Sequence, residues 1–230
     1  MMPDQRPRLR DHVRPDLHVI FVGINPGLRS AAVGHHFAGH SNRFWKLLFD
    51  SGMVDEPLSF REDWRLPEWH LGLTNIIDRP SAGIDDLDRS EYRANALTLE
   101  RKIRRYQPRI VALLGVTIFR ILFPAITRSG RVALGPTPAR LAGIPVFLLP
   151  NPSGRNAHYP YHVMLDAFAL LRRQADEAGQ PAQAQCLYSS PGTAPANHAI
   201  FTALNILSHP AGAEPYVIER KNRINHRRGQ

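Results

Sequence analysis

Apolar positions come along this chain in short unbroken runs separated by polar, turn-forming segments. Residues 17–23 (LHVIFVG) and 109–115 (RIVALLG) are of this kind, and each is bounded by turn residues. A strand with one wet face alternates; a run without alternation is covered on both faces. Residues 145–149 (PVFLL), stopped by Pro150, predict a third strand and residues 71–77 (LGLTNII) a fourth, with an edge hairpin at 131–134. Between them, residues 42–51, 91–106, 117–123 and 161–177 carry apolar positions at helical spacing. Strand–helix alternation requires crossover connections and a mostly parallel sheet. The expected fold is α/β: a three-layer α/β/α domain around a central, mostly parallel sheet of about four to five strands.

Length and composition place this domain within the chain. The 230 residues suffice for one sizeable domain with an appendage. The domain is expected over residues 1–173. Residues 174–230 form an extension whose Ala, Pro, Gln and Ser content (GQPAQAQCLYSSPGTAPA) favours a linker, with room for one short helix at 198–207 and a basic end. One cysteine, Cys186, excludes a disulfide within the chain, a four-cysteine zinc site and an iron–sulfur cluster. It suits a reducing, cytoplasmic setting. The N-terminus has no apolar core of a signal peptide, and no stretch is long enough to span a membrane. The formal charge is +9, and residues 1–173 hold 24 Lys and Arg against 16 Asp and Glu. A basic globular domain points to a polyanion partner, whose counterions it would release.

In open α/β sheets, ligands sit beyond the carboxyl ends of the strands. Three polar turns emerge there: residues 23–28 (GINPGL), 75–81 (NIIDRPS) and 151–154 (NPSG). Two of them are Asn-Pro turns, and each alone has an ordinary explanation, since Asn and Pro are common turn formers. At one edge of one sheet they outline a single cleft. The chain lacks a GxxxxGK[ST] phosphate loop and the HxE…PCxxC zinc set of the deaminases, which disfavours nucleotide hydrolysis and base deamination.

These turns, together with GHHFAGHSNRFWKLLF at 34–49, LTNIIDRPS at 73–81, YQPRIVALLG at 106–115 and LPNPSGRNAHYP at 149–160, resemble the mismatch-specific uracil/thymine DNA glycosylases of the uracil-DNA glycosylase superfamily. The resemblance covers about residues 15–173 in order and spacing. It implies a monofunctional enzyme, without metal or cofactor, that flips a uracil out of mismatched duplex DNA and hydrolyses its N-glycosidic bond. The partner implied is double-stranded DNA, the preferred mismatch G·U with weaker action on G·T, and the protein a monomer. A broader uracil or adduct glycosylase, and a non-catalytic mismatch-binding protein, remain as alternatives.

The resemblance assigns roles residue by residue. Asn25 holds the attacking water through its side-chain carbonyl; an amide is no useful general base, so such an enzyme works mainly by positioning. The segment GIDDLDRSEY offers Asp85, Asp86, Asp88 and Glu91, with Asp86 and Asp88 as the candidate catalytic aids; helix capping is the competing explanation. Phe37 stacks on the flipped base or packs in the core. His36 approaches base or sugar, and the Asn75 amide can both donate and accept at a pyrimidine edge. Ile24 contributes backbone and Ser81 its side chain to substrate binding, and Ser30 grips phosphate, tunes the pocket or begins the next turn. On the DNA side, Asn151, Pro152, Ser153 and Gly154 form the turn that carries Arg155 into the gap left by the base. Asn156 and His158 are the alternative wedges.

Overall fold

The computed structural model describes residues 8–178, apart from residue 131. Strands β1 (Val19–Gly23), β2 (Leu71–Asn75), β3 (Ile110–Leu114), β4 (Gly135–Leu141) and β5 (Ile144–Leu149) form one sheet in the order β2-β1-β3-β5-β4. All pairings are parallel except that of β4 with β5. Helices α1 (Leu28–Val33), α2 (Phe44–Asp50), α3 (Arg89–Tyr106), α4 (Val116–Leu122) and α5 (Tyr161–Glu177) complete a three-layer α/β/α domain.

Strand geometry sends successive side chains to opposite faces. In β1, Val19 and Phe21 meet α2 and α5 through Phe44, Leu47, Met164 and Phe168. Ile20 and Val22 meet α3 and α4 through Tyr92, Leu99, Ile118 and Phe119. Both sets of β1 side chains are fully buried, which is why the sequence shows no alternation there.

Three features depart from expectation. The edge hairpin forms at β4, past the 131–134 segment, because Gly135, at φ 109, opens the strand that Thr137 ties to the Val146 carbonyl. Helix α1 and a 3-10 segment at Phe60–Trp69 were not legible as elements, although Ser59 and Glu62 make the reciprocal S-x-x-E cap at its start. The N-terminal residues form a strap: His12 pairs antiparallel with Leu73 on the open edge of β2, and Asp11 binds Thr74 and Lys102. This strap covers an edge strand that would otherwise offer unpaired backbone. The extension expected from residue 174 is helical to Glu177, where it completes α5; its remainder from residue 179, including 198–207, lies outside the described residues.

Candidate active site

The cleft lies where β1, β2 and β5 end, and its three turns are tied to one another. Ile76 and Ile77 donate to the carbonyls of Gly23 and Ile24, and Ser81 donates to that of Pro26. The turn after β5 is joined to the start of α2 by Arg43 N–H on the Pro152 carbonyl, 2.9 Å.

Asn25 stands two residues past β1. Its side-chain NH2 donates to Ser81 Oγ at 2.8 Å, to the Pro26 carbonyl at 3.1 Å and to the Arg79 carbonyl at 3.3 Å. Two of these partners can only accept, so the end that faces them is the NH2. The opposite end, Oδ1, has no hydrogen-bond partner among the described residues. Ser81 gives its own proton to the Gly83 carbonyl at 2.6 Å, which turns its lone pairs toward Asn25. Ser81, expected to touch substrate, is therefore an acceptor that orients Asn25. The Arg79 carbonyl is placed in turn by its side chain, whose guanidinium makes two 2.7 Å bonds to Glu91 in the first turn of α3.

Asp86 and Asp88, the expected catalytic aids, each place one carboxylate oxygen on a nearby backbone N–H. Asp86 accepts the Gly83 N–H at 3.0 Å and closes its own turn. Asp88 caps α3 by accepting the Ser90 N–H at 2.7 Å; the Ser90 hydroxyl first, and this N–H second, hold its carboxyl below the ordinary range.

Asn75 is 7 % exposed and its side-chain amide has no hydrogen-bond partner among the described residues. It lies against the backbone of Gly23, where any Cβ would collide with its Oδ1. Its polar atoms are not sealed from solvent, so a water or a ligand entering the cleft can pair with them. Phe37, in the left-handed region at φ 51, stacks on buried Phe44 with centroids 4.1 Å apart and stays half exposed. The backbone N–H groups of Ile24 and Phe37 donate to nothing among the described residues.

Ser30 and His36 serve the loop around Phe37. Buried Ser30 accepts the Ala38 N–H on its hydroxyl at 3.1 Å, the pocket-shaping reading of the three. His36, expected at the base or sugar, is 2 % exposed. Its Nε2 bonds the Arg10 carbonyl at 3.0 Å, and burial lowers its pKa, so the ring is neutral and committed inside the protein. Its backbone N–H donates at 2.8 Å to Asp63, a buried carboxylate that the sequence reading missed. Asp63 also pairs with His35 Nδ1 at 3.0 Å and His12 Nε2 at 3.3 Å. His12, His36 and Asp63 offer ligand atoms within 4.8 Å of one another, the spacing of a loose metal site. Their hydrogen bonds already engage both carboxylate oxygens, so the cluster is complete as a hydrogen-bonded node.

In the third turn, Asn151 Oδ1 accepts the Ser153 N–H and the Asn151 carbonyl accepts from Asn156 Nδ2. Pro152 is buried, and Gly154 presses on Ser41 so closely that a Cβ would lie 2.6 Å from the Ser41 carbonyl oxygen. Arg155 and His158 are exposed beyond it. The Arg155 guanidinium reaches back 2.8 Å to the carbonyl of Ala82, next to Ser81.

The sequence profile of the uracil DNA glycosylase superfamily matches residues 10–172. The chain belongs to that superfamily. Its matched stretch contains all three turns, so the cleft lies within a DNA glycosylase domain whose partner is DNA. Among solved structures, the solution NMR structure of a candidate uracil DNA glycosylase from Methanosarcina acetivorans is similar, with 14% sequence identity and a TM-score of 0.49. The match covers 73% of this chain and 97% of that one.

The Asp63 node sets an acid limit on this glycosylase domain. Burial alone would raise the carboxyl, yet the bonds from His12, His35 and the His36 N–H bring it from 3.8 down to about 2. A depressed folded-state value stabilises the protein above the ordinary pKa and loses that contribution as pH falls toward 2, by about 2 kcal/mol. In urea unfolding between pH 5 and pH 2, the stability gap between the wild type and Asp63→Asn should shrink by that amount. A gap that stays constant would remove the carboxylate from this role.

Proposed function

We propose that the protein hydrolyses the N-glycosidic bond of uracil in mismatched duplex DNA, chiefly opposite guanine and more weakly for thymine. The observation that carries this reading is the orientation of Asn25: three acceptors hold its NH2, leaving its carbonyl to hold a water. The water's oxygen attacks C1′ of the flipped nucleotide while the C1′–N1 bond breaks and its electron pair leaves on the pyrimidine. The water's surplus proton is released to solvent. The unpaired Asn75 amide and the N–H groups of Ile24 and Phe37 face no internal partner and are suited to the negative charge on the departing base. Phe37 supplies the stacking surface. The basic domain grips phosphates, and the turn at 151–154 presents Arg155 to the gap in the stack.

The direct test incubates the full chain with end-labelled duplexes carrying G·U, A·U or G·T and with single-stranded uracil, followed by alkali. Strand breaks are expected most strongly with G·U; none in any substrate refutes the activity. Within that assay, Asn25→Ala should slow single-turnover base release about 100-fold or more, the scale of a misplaced reactant, with duplex binding nearly intact. An unchanged rate would assign the water to another residue. For Arg155→Ala, a wedge role predicts a larger loss on G·U than on A·U, limited to the few kcal/mol of one unstacking step. Equal losses with a salt slope shallower by about one would make Arg155 a phosphate contact.

A further inference from the structure

Asp63 has no role in the water-positioning machinery, yet it is 1 % exposed and ionised. A charge so deeply buried must be fully partnered. Its partners all converge on one loop or on the strap beneath it. One oxygen takes His35; the other takes the His36 N–H and His12, which the strap anchors to Leu73. The loop so held is bracketed by two left-handed residues, Gly34 at φ 76 and Phe37 at φ 51. A bulky residue in that region is strained and stays there only when its surroundings over-determine it. The surroundings do: Asp63 binds the residue before Phe37, Ser30 binds the residue after it, and Phe44 lies beneath the ring.

We infer that Asp63 is a positioning residue for the base pocket, setting the Phe37 ring by clamping the His36 N–H. The inference rests on the reading of Phe37 as the surface that meets the base. Asp63 touches no substrate; it acts through the loop. A metal centre at the same residues is the weaker explanation, because His36 Nε2 is already bound to Arg10 and both carboxylate oxygens are engaged.

The test replaces the ten phenylalanines of the full chain with a fluorinated analogue and reads their 19F resonances. Phe37→Leu identifies the Phe37 signal. In Asp63→Ala that signal should shift and broaden while Phe119, on the opposite face of the sheet, keeps its own. In Asp63→Asn, which retains an acceptor for the His36 N–H, the Phe37 signal should stay close to its original position. Single-turnover uracil release should fall by tens of fold in Asp63→Ala, toward the ~100-fold of a misplaced pocket. The double variant Asp63→Ala/Phe37→Ala should be within about twofold of Phe37→Ala alone, since residues acting through one contact are not additive. An unmoved Phe37 signal, losses that multiply, or collapse of all signals in both Asp63 variants would overturn the inference. If the wild type releases no base, the glycosylase reading falls, while the fluorine spectra still decide whether Asp63 sets Phe37.

Discussion

The site depends on one constraint: the NH2 of Asn25 must satisfy acceptors that come from two different loops. Pro26 belongs to the turn after β1, whereas Arg79 and Ser81 belong to the turn after β2. Those loops meet because β1 and β2 are parallel neighbours in register, with Gly23 opposite Asn75. Parallel pairing sends both strands' carboxyl ends to the same edge. The ladder then continues past the strands through Ile76, Ile77 and Ser81. An amide has distinct donor and acceptor ends, and two carbonyls leave only one orientation for it. The sheet thereby fixes which atom of Asn25 looks into the cleft.

The same logic extends outward through pairs that are far apart in sequence. The bidentate Arg79–Glu91 pair fastens the second loop to α3, and the Asp88 cap starts that helix where Glu91 can reach. On the opposite side, a buried carboxylate fastens the loop that carries Phe37. Removing the partners of Asp63 would leave an uncompensated buried charge, whereas the Arg79–Glu91 pair is partly exposed and solvent screens it. Between these rigid supports, the groups left without partners are the ones a pyrimidine and a water could use: Asn25 Oδ1, the Asn75 amide and two backbone N–H groups.

Much of this was legible in the chain. The apolar runs became the four parallel strands because burial on both faces removes alternation, and the three turns fell at one edge because parallel strands put them there. What was not legible depends on contacts at long sequence separation. Nothing in REDWRL marks Asp63 as buried until His36, 27 residues away, is brought to it. The resemblance placed His36 at the base or sugar; its ring instead bonds the N-terminal strap. For Asp86 and Asp88 the sequence left catalysis and helix capping open, and the structure shows one oxygen of each on a local backbone N–H. The S-x-x-E cap at Ser59 was a readable signal for the segment that carries Asp63.

The claim that Asn25 works through a fixed amide orientation is tested most directly by Asn25→Asp, assayed for single-turnover uracil release from G·U duplex across pH 5–9. A carboxylate is the better base, but one of its oxygens must face the Pro26 and Arg79 carbonyls that now accept the NH2. The account predicts a variant slower than wild type throughout that range, because repulsion from those carbonyls dislodges the side chain. A rate equal to or above wild type, rising with pH as the carboxylate ionises, would contradict it.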